Sequence, residues 1–309
     1  MEINQILQKV ENLSQDSRYL FVRTEKGLLF DQFTKENHIA IGWDYLTLYQ
    51  LRKLSINEIK EKIALKENLD ITKSKGKGMA TMSYNKLMLF LNLKKDDIII
   101  IPSRNSDRLA FGRIVDIEAY EEVEAERFLK RRKIEWFKIV QMNDLNPIFY
   151  QVKSNHHTIS HIDRFAPHID RVIGNLFQKG DNTHYVLNIE KEEDINFNEL
   201  NNLMDNIKTL LNKINNEFDF NENPDEFYIK INLQSKGAFE LIKKGKSLAV
   251  LAFLLSTVSC VDNQNQLVAD SDIDKFIIEN RKLLDDTTKD IDTLKINTED
   301  LIKPFTNGN

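Results

Sequence analysis

The sequence predicts an α+β protein of two modules. A small mixed β-barrel with helices is expected over residues 1–167. A second, α/β-type module with a buried apolar helix and a helical acidic tail is expected over 168–309. Three observations carry this. Short β-branched runs dominate the first half, and only two long helical patterns interrupt them, so regular strand–helix alternation is missing. The second half runs strand, helix, strand, helix. The charge also changes sign: residues 1–170 hold 27 Lys and Arg against 24 Asp and Glu, and residues 171–309 hold 16 against 24.

The elements follow in order. Ile3, Ile6, Leu7 and Val10 recur at helical spacing and predict a short amphipathic helix over 3–14. RYLFVRT (18–24) and HIAIGW (38–43) read as strands, with Gly27 in a turn between them. Leu51, Leu54, Ile56, Ile59 and Ile63 form the apolar face of one helix over 46–65. KSKGKG (73–78) reads as a mobile loop before a second helix over 79–93. DIIIIP (97–102), LAFGRIV (109–115) and KIEWFKIV (133–140) are strands, and NHHTISHID (155–163) is the closing strand or turn.

In the second half, strands are expected at 183–190 and 226–233. A helix of about six turns over 197–218 carries an apolar stripe from Leu200 to Ile214. Gly237 and Gly245 bracket a short apolar hairpin or turn, and the helix over 247–258 is apolar nearly all round, which implies burial on every side. A second copy of the chain is the expected cover. Residues 272–309 read as a polar helical arm that frays toward its end.

Composition excludes several classes. With 10 Gly and 5 Pro in 309 residues, collagen-like and Pro/Gly-rich disordered chains are out. The single cysteine, Cys260, rules out an intramolecular disulfide and a cysteine-based zinc cage, which suits a reducing cytoplasm. The opening residues show no basic-then-apolar leader. The apolar run at 248–258 falls well short of the ~20 residues needed to span a bilayer, so no stable membrane insertion is expected.

Catalytic signatures are mostly absent. KSKGKGMAT lacks the spacing and the preceding strand of a phosphate loop, and no Gly-x-Ser-x-Gly elbow is present. Cys260 in an apolar stretch is a poor nucleophile. Glu190 and Lys191 are adjacent, not one residue apart as an acid-x-Lys nuclease strand requires, and read as a solvated strand end. Four of the six histidines lie between His156 and His168. His157 and His161 suggest a zinc pair only if helical, and their surroundings look extended. No catalytic residue, metal or cofactor is expected.

The constellation that points to chemistry is aromatic plus basic. Trp43 ends a strand after Gly42, with Asp44 and Tyr45 following. A tryptophan there can wall a pocket whose polar neighbours bond the edge of a flat ligand, as nucleobases are recognised. Ser103 and Arg104, after the central strand, join Trp43 and Asp44 as expected base contacts. Lys73, Lys75, Lys77, Arg108, Arg131 and Arg132 are the expected phosphate contacts. Trp136, alternating within a strand, reads as a core aromatic.

The order YLFVRTEKG, HIAIGWD, LNLKKDDIIIIPSR, LAFGRIVDIEAY, RRKIEWFKI, TISHID over about 18–165 resembles the PUA-like, EVE-type domain found at the N-terminus of Mrr-type restriction endonucleases. That resemblance implies a compact β-barrel holding a modified or flipped base in an aromatic-walled pocket, with Trp43 and Asp44 at the Gly-Trp motif and Ser103 on the loop after the central strand. Asp96 replaces a glycine of the family pattern, and TLYQL replaces its Asp-Leu-Ser. No nuclease module is recognisable after residue 170. The expected function is therefore a non-catalytic nucleic-acid reader in a bacterial anti-phage defence or restriction system. The acidic second half would serve homo-oligomerisation or an effector subunit. A sensor of a small or cyclic nucleotide, and a nuclease with its active site in 171–309, are the alternatives.

Overall fold

The computed structural model describes residues 2–232, 237–260, 271–297 and 305. It is a mixed α+β structure that divides into two compact units: residues 16–173, and residues 1–15 together with 174–309. The division differs from the expected 1–167 and 168–309 mainly at the N-terminus. The first helix, α1 (Ile3–Gln8), is shorter than its periodicity suggests, and a strand, β1 (Glu11–Leu13), follows it. That strand pairs in parallel with residues 177–179, which carries the first fifteen residues into the second unit.

The unit of residues 16–173 is built on β2 (Tyr19–Val22), β3 (His38–Ile41), β4 (Ile98–Pro102), β5 (Arg108–Ile114), β6 (Tyr120–Glu121), β7 (Lys130–Gln141) and β8 (Ile159–His161). The sheet order is β3-β7-β5-β4-β2-β8, with β6 beside β7. Its curl comes from β7. The C-terminal part of that strand pairs with β5 across a bulge at Phe111/Gly112, and its first four residues pair with β3. A bulge bends a strand and steepens its twist, so one sheet rolls into a half-barrel. β4 is buried along its whole length, as the run of isoleucines requires.

The helices here are α2 (Phe30–Lys35), α3 (Leu48–Lys53), α4 (Ile56–Lys66), α5 (Ser74–Leu91), α6 (Phe149–Lys153) and α7 (Ala166–Ile173). Two expectations are corrected. The helix expected over 46–65 breaks at Leu54, whose ψ of 150° is extended. Ser55 then starts α4 with a capping box in which its hydroxyl accepts from Glu58 N while Glu58 accepts from Ser55 N at 2.7 Å. The KSKGKG segment is the start of α5, not a loop. Gly76 is there for close approach: a Cβ on it would stand 2.1 Å from the Asp70 carbonyl oxygen.

The second unit holds β1, β9 (Leu176–Lys179), β10 (Asn182–Asn188), β11 (Phe227–Asn232) and β12 (Ala238–Lys244), in the order β1-β9-β10-β12-β11. The segment read as a hairpin between Gly237 and Gly245 is the full strand β12. The helices are α1, α8 (Phe197–Glu217), α9 (Ser247–Cys260), α10 (Asp272–Glu279) and α11 (Arg281–Thr293). α9 packs against α1, α8, α11 and the sheet, and Leu248, Val250, Leu251, Leu254 and Leu255 are fully buried within one chain. The all-round apolar helix is thus covered without a second copy, and the argument for a homo-oligomer from this helix falls. Its N-terminus is capped by the nearly buried Glu222, whose Oε1 accepts from Ser247 N at 2.9 Å.

The tail is also corrected. Ile273, Phe276, Ile277, Leu284, Ile291 and Leu294 are buried in the same core, so α10 and α11 are integral and not a fraying arm. The end of the expected arm, at 298–304 and 306–309, lies outside the described residues, as does the side chain of Cys260. Among the described residues, no helix is long and apolar enough to cross a membrane.

Candidate functional site

The turn after β3 carries the feature that local chain preference does not explain. Trp43 has φ +60°, a left-handed conformation that is an outlier for a bulky side chain. Three interactions hold it there. Leu46 N donates to the Trp43 carbonyl at 2.9 Å. The fully buried Lys130 ammonium donates to the carbonyls of Trp43 at 2.9 Å and Leu46 at 3.0 Å. Burial lowers the Lys130 pKa, and Asp44, 3.5 Å away, opposes that.

Asp44 is the third support. Its carboxylate accepts from the backbone amides of Phe128 at 2.8 Å and Leu129 at 3.0 Å. Phe128 is itself left-handed, at φ +57°. Two strained aromatics, Trp43 and Phe128, are therefore fixed through one aspartate. Asp44 builds the site, and its oxygens are already engaged by the backbone rather than turned toward a ligand.

The Trp43 ring is half-buried and packs against the core of this unit. Its indole Nε1 donates to Glu67 Oε1 at 2.6 Å, the Tyr45 hydroxyl reaches the same oxygen at 3.3 Å, and Ser83 Oγ reaches Oε2 at 3.4 Å. Burial and the Glu67 carboxylate raise the Tyr45 pKa, so its hydroxyl keeps its proton and donates. Glu67 is exposed, just past the end of α4, and three donors converge on it, two from the turn after β3 and one from α5. The sequence singles out Trp43, with Asp44 and Tyr45 beside it, but gives no local signal for Glu67, Ser83 or the internal role of Lys130.

The expected cations divide. Lys73, Lys75 and Lys77 are exposed at the start of α5, the helix that carries Ser83. At helical spacing Lys75, Met79, Met82 and Lys86 follow one another along a face, and both methionines are about two-fifths exposed. Arg131 and Arg132, expected on a phosphate backbone, are buried and correct that expectation. Arg132 donates from Nε to Asp116 Oδ1 at 2.7 Å and also bonds the carbonyl of Leu93. Arg131 Nε reaches the Phe128 carbonyl at 3.4 Å, and its guanidinium lies 3.6 Å from Glu36.

The β4–β5 loop packs against residues 27–31. Ser103 is nearly buried and its Oγ accepts from Arg108 N at 2.8 Å, so it shapes the loop and is not a surface contact. Arg104 is exposed. The backbone of Gly27, at φ +92°, is pressed so closely on Arg104 that a Cβ would stand 2.1 Å from its nitrogen. The Arg108 guanidinium lies over the Phe30 ring and 3.8 Å from Asp31. A Glu25–Arg127 ion pair ties the neighbouring 24–28 turn to the loop before β7. Asp44 thus joins the Trp43 turn to Phe128, while Ser103, Arg104 and Arg108 lie with Gly27 and Phe30.

An open cavity of about 630 Å³ lies between α3, the end of α5 and residues 117–119, with an Arg52–Glu118 pair at 2.7 Å among its lining residues. None of the expected site residues line it. Trp136 is partly buried and donates to the Phe33 carbonyl at 3.0 Å. His156, His157 and His161 are exposed, and among the described residues no group of three His, Cys, Asp or Glu is placed to hold a metal. Glu190 is exposed beyond β10 and accepts from Asn297 at 2.7 Å, while Lys191 pairs with Glu199.

Residues 19–163 match a family described as a domain of unknown function, DUF8426. The match falls inside the unit of residues 16–173 and covers somewhat less than half of the chain. No curated protein and no solved structure matches the chain.

Proposed function

We propose that residues 16–173 form a non-catalytic reader of a nucleobase, with Trp43 as the stacking surface and the lysines at the start of α5 along the phosphates. One observation carries this reading. The Trp43 backbone is held in a strained conformation by a buried lysine and an aspartate, while its ring stays half-exposed beside an exposed acceptor. Strain of this kind persists only where the surroundings over-determine it, and it clusters at ligand clamps. Residues 56–86 carry seven lysines against four acids, which suits a phosphate backbone. The resemblance of the sequence motifs to PUA-like, EVE-type domains supports it, and on that reading the protein would be the reader subunit of an anti-phage defence or restriction system. The second unit, or a partner it docks, would then relay occupancy.

The test is direct. Trp43→Ala and Trp43→Gly both remove the ring, and glycine also relieves the left-handed strain. Either should weaken oligonucleotide binding, read by fluorescence anisotropy, by the ~1–3 kcal/mol of one base–aromatic stack. Circular dichroism should show the fold intact. Unchanged affinity in both folded variants would remove the claim. Steep weakening with salt identifies a polynucleotide rather than a free nucleotide as the ligand.

A further inference from the structure

We propose that Glu67 is the specificity-determining residue of the Trp43 site and selects a nucleobase with two adjacent N–H donors on its Watson–Crick edge, which is guanine. This deepens the reader proposal and rests on it.

The argument starts from what Glu67 does not do. It caps the C-terminal end of α4, where the helix dipole disfavours an anion, so the helix gives no reason for a carboxylate there. Its partners lie elsewhere: Trp43 and Tyr45 from the turn after β3, and Ser83 from α5. A carboxylate has about four acceptor positions over its two oxygens. Oε1 takes the short indole bond at 2.6 Å and the long Tyr45 bond at 3.3 Å. Oε2 takes one bond, from Ser83, at 3.4 Å. The two hydroxyl bonds are longer than the ~2.7–2.8 Å usual for O–H···O and are readily exchanged. The carboxylate is exposed, so this spare acceptor capacity faces a molecule arriving beside Trp43.

Such a molecule must bring donors. Guanine presents N1–H and the 2-amino group side by side, parallel and coplanar, matching the two oxygens as a bidentate pair. Adenine and cytosine set a ring acceptor next to their amino group, which would face a carboxylate lone pair. Thymine and uracil flank their one N–H with carbonyls. A phosphate is repelled outright. The indole face supplies stacking that every base shares, so discrimination falls to Glu67.

The experiment uses the full chain and short oligothymidylates with one central residue replaced by guanine, hypoxanthine, adenine or cytosine, against wild type, Glu67→Gln and Trp43→Ala. The expected result is that a single guanine tightens wild-type binding by roughly tenfold or more over the unsubstituted strand, the scale of hydrogen bonds to a charged group. Hypoxanthine, which lacks the 2-amino group, should lose most of that gain. Glu67→Gln should erase the guanine preference, bringing the guanine strand down to the affinity that the same variant shows for the unsubstituted one. If Glu67→Gln keeps the wild-type base order while Trp43→Ala weakens every strand, the reader stands and the selectivity assignment is overturned. If wild type binds none of the strands, both fall.

Discussion

Two basic runs of similar composition, KSKGK at Lys73–Lys77 and KRRK at Lys130–Lys133, meet opposite fates. The first is exposed on the opening turns of α5. The second lies in β7, where Lys130 and Arg132 are fully buried and Arg131 nearly so. Charge density along the chain does not separate them. What does is the supply of acceptors: Asp44, Glu36 and Asp116, with carbonyls at Trp43, Leu46 and Leu93, are gathered around the second run. A buried cation is tolerable only when paired and hydrogen-bonded. A cationic run in a strand flanked by a rolled sheet therefore reads as internal stapling, and the same run opening a helix reads as surface.

The largest consequence is for stability. Arg132→Met would leave the Asp116 carboxylate and the end of α5 without their shared donor. Breaking a buried pair by removing one partner costs about 3–5 kcal/mol. Urea unfolding should show that loss, whereas Lys75→Met on the exposed run should stay within about 0.5 kcal/mol. Equal, small effects at both positions would erase the distinction.

The same contrast explains what was legible in the sequence. Elements whose signal is local were readable: the isoleucines of β4, the stripe of α8 and the uniformly apolar α9. The site was half legible. Trp43 stood out as a strand-end aromatic, but Glu67 and Ser83 lie 24 and 40 positions from it, and only the fold brings them to one carboxylate. Burial of Arg131 and Arg132 was hidden for the same reason, since Asp116 lies 16 residues from Arg132 and Leu93 lies 39. The break before α4 did have a signal in the Ser55–Glu58 box, outweighed by an apolar period that continues across it. The short α2, β1 and β9 are too brief to show a period at all.

A smaller effect sharpens the comparison through a neighbour of the buried run. His38 pairs across the sheet with Lys133, and its side chain is almost wholly buried. Burial, and then the charge of Arg131, lower its pKa below the usual 6.5, so it is neutral at neutral pH. The unfolded chain binds this proton more readily. Stability is thus complete above pH 6.5 and is lost as pH falls toward the folded value, at no more than about 1.4 kcal/mol per pH unit. His168, lowered by burial and Arg171, acts in the same direction. His38→Gln should therefore flatten, without abolishing, the fall in urea midpoint between about pH 6.5 and pH 5. A slope identical to wild type would mean that folding does not suppress protonation of this histidine.

The smallest effect on folding, and the one most specific to function, belongs to the exposed run. Lys73 pairs with Asp70 at 3.1 Å, but both side chains are largely in water and such a pair is worth little. Replacing Lys73, Lys75 and Lys77 by Gln should leave the unfolding midpoint within error of wild type. Binding is a different matter if these cations follow a nucleic-acid backbone. Each released counterion contributes about 0.7 to the salt slope on a single strand, so the triple variant should flatten the plot of log affinity against log salt by roughly two. Because a phosphate contact carries no base information, the guanine preference assigned to Glu67 should survive the change. A triple variant with the wild-type salt slope would move the phosphate path off α5, leaving exposed Arg104 and the half-exposed Arg108, on the other loop, as the cations to test next.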